Sequence, residues 1–139
     1  MDMRKIASLG SLILGVLLIV GSVGTWVMVS STLAEQNIVT PEDACLPERT
    51  VNGPFTAYCQ ADIIEQHALE STGGATYAEL DREDPLRDVA MNASFLQASL
   101  FTSVLAFGVA AMALALGVLF ILIGLGIRDV SKRTVETAR

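Results

Sequence analysis

Two stretches of this chain carry no charge, Ile6 to Ala34 and Val89 to Ile127, and they bracket a middle segment that holds most of the acid. About 20 apolar residues suffice for a helix to cross the roughly 30 Å hydrocarbon core of a bilayer, and both stretches exceed that length. The expected fold is therefore an all-α membrane protein: a two-helix transmembrane hairpin with a small helical, disulfide-linked extracytoplasmic loop domain. Its expected parts are a cytoplasmic N-terminus (1–5), a first transmembrane helix (6–29) and an acidic loop (30–84) with a helix at about 55–71. A long helix (85–127) follows, with an outer stalk at 85–100 before the second span, and a basic tail (128–139) closes the chain. Roughly half of the 139 residues lie in apolar segments, which leaves too little polar chain for a conventional enzyme domain with its own core.

The formal net charge of −6 conceals an asymmetry. Residues 35–88 hold twelve acids against Arg49, Arg82 and Arg87, a local −9, whereas both flanks are net basic. Short flanks rich in Lys and Arg stay cytoplasmic; Arg4 and Lys5 precede the first span, and Arg128, Lys132 and Arg133 follow the second. The expectation is a multi-pass protein of the plasma (inner) membrane, with both termini cytoplasmic and the acidic loop outside. A cleaved signal peptide fits poorly, because signal h-regions run about 7–15 residues and Ile6 to Val29 offers 24. Retention as an anchor is expected.

Within the first span, Ala7, Ser11 and Gly15 recur every four residues, as do Gly21 and Thr25, and Trp26 suits the headgroup level at the outer end. Small side chains on a common stripe let another helix approach closely, although Gly and Ala are also simply frequent in membrane helices. Ala106 and Ala110, then Ala113 and Gly117, repeat the pattern in the second span. One set is expected to pack the hairpin, and a surplus set would suit self-association or a larger partner.

Asp84-Pro85 reads as a helix start, with Asp capping free N–H groups and Pro tolerated at the first position. No breaker follows before Ile127, which predicts one helix of about 43 residues, amphipathic in its first four turns. Gly53-Pro54 opens another amphipathic run with Ala57, Ala61, Ile64 and Ala68 on one face, and Gly73-Gly74 stops it. Thr76-Tyr77-Ala78-Glu79 matches a capping box. The loop's core would draw on Phe55, Tyr58, Ile64, Leu69, Tyr77, Leu80 and Leu86, a thin supply.

Cys45 and Cys59 are the only cysteines, and both fall on the side assigned as oxidising, where disulfides persist. Catalytic dithiols favour Cys-X-X-Cys spacing, so a structural bridge is expected. His67 is the sole histidine, with Glu65 and Glu70 nearby. A zinc site wants three or four ligands, and a non-haem iron oxygenase wants two histidines and a carboxylate. Glu79, Asp81, Glu83, Asp84 and Asp88 are dense enough to attract a cation or a basic partner but lack calcium-loop spacing. Acid near a helix start also suits the macrodipole. No catalytic residue, metal or cofactor is assigned.

Neither charge-free stretch holds the ionisable residues that ion pumps and proton relays place at membrane depth. Hydroxyls alone would line any homo-oligomeric pore. Asn92-Ala93-Ser94 matches a glycosylation sequon close to the bilayer and is discounted. The tail cations Arg128, Lys132, Arg133 and Arg139 set topology and can rest on anionic headgroups. No nucleic-acid module, phosphate-cradling loop or Ser-His-Asp constellation is present.

The run Val51-Asn52-Gly53-Pro54-Phe55-Thr56-Ala57-Tyr58, with Gln60-Ala61-Asp62, His67-Ala68-Leu69-Glu70, Thr72-Gly73-Gly74, Thr76 to Pro85 and Ser99-Leu100-Phe101-Thr102-Ser103, resembles small two-span membrane proteins of actinobacteria such as mycobacteria. Those proteins are often labelled aromatic ring-opening dioxygenases of the LigA type. The resemblance covers roughly residues 51–127 and does not imply the Cys45–Cys59 bridge. Ring-opening dioxygenation needs a ligated iron and a substrate pocket, and His67 alone supplies neither, so no enzyme is expected. The leading expectation is a non-catalytic accessory or scaffold protein that packs against other integral membrane proteins or itself, in contact with lipids, in a respiratory or envelope complex. An extracytoplasmic cation or ligand binder is the alternative, and a small homo-oligomeric pore the third.

Overall fold

A long apolar run without proline can satisfy all its backbone hydrogen bonds as a helix, and the computed structural model contains two such helices. It describes residues 3–137, and side chains through residue 131. Helix α1 is Met3–Glu35, α2 is Pro54–Ser71 and α3 is Arg87–Thr137; no strand occurs among the described residues, only an isolated bridge between Val39 and Thr50. Both α1 and α3 are long and apolar enough to cross a membrane. The all-helical fold, the two long apolar helices and the loop disulfide are as the sequence led us to expect. The side chains of Lys132 and Arg133, and all of Arg139, lie outside the described residues.

Both long helices overrun the apolar stretches that announced them. α1 continues to Glu35, where Asn37 at φ 52° turns the chain out, a conformation Asn tolerates better than most residues. α3 continues past Ile127 because the segment that follows holds no Gly or Pro. At its start, Pro85 and Leu86 form a turn and regular helix begins at Arg87. Asp84 still caps it: Oδ1 accepts from Leu86 N at 2.8 Å, and its carbonyl from Arg87 N at 3.0 Å.

For α2, Gly53 is the N-cap and Pro54 the first residue. A glycine has no side chain to cap with, and the Thr56 hydroxyl substitutes, accepting from the N–H groups of Asn52 and Gly53 at 3.2 Å each. The helix ends in a Schellman motif. Gly74 N donates to Leu69 O at 2.7 Å and Gly73 N to Glu70 O at 3.3 Å, with Gly73 at φ 67°.

Contacts divide the chain into two units: Met1–Trp26 with Val109–Arg139, hereafter the hairpin unit, and Val27–Gly108, the loop unit. The loop unit's core is Leu33, Val51, Ala57, Ala61, Leu100 and Phe107, with Val29, Ile38, Ile64 and Val104 packed against it. This differs from the core expected from the sequence, since Phe55, Tyr58, Tyr77 and Leu86 are exposed. α2 buries Ala57, Cys59, Ala61 and Ile63, and Ala57 and Ala61 join the core cluster with Ile64 packed against it. The bulk comes from α1, α3 and the segment before α2, none of which was counted as loop core.

Candidate functional site

In the hairpin unit, α1 and α3 run antiparallel along a seam of small residues. Gly15 and Gly117 face each other so closely that a Cβ on Gly15 would lie 2.7 Å from Gly117 O, and one on Gly117 2.8 Å from Gly15 O. Real Cβ contacts do not reach such distances, so the glycines are what permit the approach. Gly124 is equally tight against Leu12 and the Ser8 carbonyl. Two hydroxyls of α1 fasten the seam between Gly15 and the N-terminal end of that helix: Ser8 Oγ donates to Gly124 O at 2.8 Å, and Ser11 Oγ to Phe120 O at 2.7 Å. Between helices in a bilayer such bonds are worth roughly 0.6–2 kcal/mol each.

Of the small residues singled out in the sequence, Gly15, Gly117 and Ala110 are buried, while Ser11 and Ala113 are half-buried. Ala106, in the loop unit, is also half-buried. Ala7, Gly21 and Thr25 are exposed, and a Cβ on Gly21 would meet nothing within 4 Å. Four-residue spacing missed Ser8, Ser22 and Gly124. The buried positions instead follow steps of seven, 8–15–22 on α1 and 110–117–124 on α3, the repeat by which two helices stay in contact over several turns.

In the loop unit, the Cys45–Cys59 disulfide joins the irregular segment to α2, with the Cα atoms 5.4 Å apart. A second link between the irregular segment and α2 is polar: His67 Nε2 donates to Asp43 Oδ2 at 2.7 Å. That hydrogen bond from His67 holds the Asp43 carboxyl below its ordinary value of 3.8. Asp43 was not anticipated, and a His–Asp contact 24 residues apart leaves no signal in spacing. Gln97 Nε2 donates to Glu65 Oε2 at 2.8 Å and ties α3 to α2. Arg87 stacks its guanidinium 4.2 Å above the Tyr77 ring and donates to the Leu80 carbonyl.

The acid cluster is dispersed among local tasks. Glu79 accepts from the backbone N–H and the hydroxyl of Thr76, both at 2.8 Å, and these bonds hold its carboxyl below the ordinary value. The Thr76–Glu79 segment is a hydrogen-bonded turn. Asp84 caps α3; Asp81, Glu83 and Asp88 are exposed. Among the described residues no three His, Cys, Asp or Glu side chains are grouped to hold a metal ion. The loop unit also contains a recess of ≈ 820 Å³. Leu33, Ile64, Leu100, Ser99 and Gln60 are among its walls, none of its lining side chains is charged, and the buried Gln60 Oε1 has no hydrogen-bond partner among the described residues. Comparison with protein-family models, curated proteins and solved structures finds no match to this chain.

Proposed function

We propose that this chain is a non-catalytic accessory subunit of the plasma membrane, a two-span hairpin that joins other integral membrane proteins, with its termini cytoplasmic and its acidic loop outside. Support for membrane residence is the outward apolar surface: only 11% and 17% of the most apolar windows of α1 and α3 are buried. A soluble protein would hide most of that area, since each exposed Leu or Val side chain forgoes about 1.5–3 kcal/mol of burial.

The observation that carries the accessory reading is the second small-residue face of α1. Gly10, Gly21 and Gly24 have nothing within 4 Å of a notional Cβ, and Ala7 and Thr25 beside them are exposed. At 100° per residue these positions turn away from Gly15, whose own face is filled by α3. Close helix approach in lipid depends on such residues. The open face fits a helix of another subunit, as the surplus set expected from the sequence would.

The test is extraction in a mild detergent followed by mass spectrometry of what copurifies, for the wild type and for Gly21→Leu/Gly24→Leu. A stoichiometric membrane partner that is lost in the double variant, at unchanged thermal stability, is the expected result. A folded monomer copurifying with nothing, in wild type and variant alike, would overturn the reading.

A further inference from the structure

The hairpin unit has a cleft of ≈ 520 Å³ where the first turn of α1 meets the far part of α3. Arg4 and Lys5 line it from α1, and Arg128 and Ser131 from α3. Its apolar wall includes Leu9 and Leu12. Three cations from opposite ends of the sequence thus converge on one opening, and none of them forms an ion pair among the described residues. Topology alone asks only that basic residues flank the spans; it does not require them to share a cleft with an apolar wall.

We propose that this cleft binds one anionic phospholipid, its phosphodiester held by Arg4, Lys5 and Arg128 and an acyl chain lying along Leu9 and Leu12. Arginine suits phosphate because its planar fork donates two parallel hydrogen bonds, and lysine adds a point charge. An inorganic anion would leave the apolar wall uncovered, and a zwitterionic lipid would carry its own cation into a positive cleft. The cytoplasmic leaflet, where the charge rule puts this end, presents anionic headgroups. The inference rests on the membrane reading above and extends it from protein partners to a lipid.

The experiment is native mass spectrometry of the detergent-solubilised full chain titrated with phosphatidylglycerol, phosphatidylcholine or inorganic phosphate. One phosphatidylglycerol should bind in preference to phosphatidylcholine and resist displacement by phosphate. Arg4→Gln/Arg128→Gln should weaken it about thirty-fold, whereas Arg49→Gln/Arg82→Gln, which removes the same charge from the loop, should leave it unchanged. Leu9→Trp, at a half-exposed position of the apolar wall, should weaken lipid binding without altering charge. Equal binding of the two lipids, full displacement by phosphate, or an Arg4/Arg128 variant indistinguishable from the loop variant would overturn the proposal. A chain that is folded and soluble without detergent would instead overturn the membrane reading itself.

Discussion

Gly117 occupies a point where two backbones touch, and the cost of any larger residue there can be argued from distance alone. An added Cβ would sit 2.7 Å from Ile19 Cγ1 and 2.8 Å from Gly15 O; the first neighbour can rotate, but the second is backbone and must be pushed away. Overpacking of this kind costs about 1–3 kcal/mol. Gly21 is the internal control, because its Cβ would enter open space. Gly117→Ala should therefore lower the denaturation midpoint in detergent, followed by helical circular dichroism, while Gly21→Ala leaves it unchanged or slightly raised. Equal midpoints for the two variants would mean that the seam does not hold the hairpin. At this scale the sequence was partly legible. Gly15 and Gly117 are recognisable as small residues in an apolar run, but Ser8 and Gly124 emerge only when the period is taken as seven rather than four.

Helix α2 buries mostly small side chains, Ala57, Cys59 and Ala61 with one larger residue, Ile63, while Phe55 and Tyr58 are exposed. Its attachments are accordingly specific rather than bulky: the disulfide at Cys59, the bond from His67 to Asp43 and the bond from Gln97 to Glu65. The disulfide and the capping signals at Gly53 and Gly73-Gly74 were legible, because cysteine count and glycine position have local meaning. The core was not, because Leu100 and Phe107 belong to a long helix whose apolar residues were expected to face lipid or form the stalk, and Leu33 lies where α1 runs on into the stretch expected to be irregular loop. Closing a loop of about 15 residues removes roughly 3 kcal/mol of unfolded-state freedom. Cys45→Ser/Cys59→Ser should accelerate hydrogen exchange at the Thr40 and Val51 amides, which bond to Arg49 O and Ile38 O across the irregular segment. Amides around Gly117 in α3 should exchange as in the wild type. Unchanged protection at Thr40 and Val51 would show that the core alone holds this segment.

Across the whole molecule, net charge is partitioned by position: the segment between the apolar stretches is net acidic and the two flanks are net basic. Lys and Arg near short flanks govern insertion, so the proposed membrane reading, with Arg4, Lys5 and Arg128 at the outer ends of α1 and α3, predicts that both ends stay on the cytoplasmic side. Proteolysis reads that orientation without altering the chain. Arg49 and Arg82 are exposed in the loop unit, Arg82 in a turn where no long helix protects the peptide bond, whereas Arg128 lies within α3. Trypsin added to intact spheroplasts should cut after Arg82 and leave a C-terminal fragment of unaltered end, and cutting after Arg128 should require permeabilisation. The reverse pattern, with Arg128 cleaved from outside and Arg82 protected, would invert the topology. It would also place the Arg4, Lys5 and Arg128 cleft on the outer leaflet, where the argument for an anionic lipid from leaflet composition no longer applies.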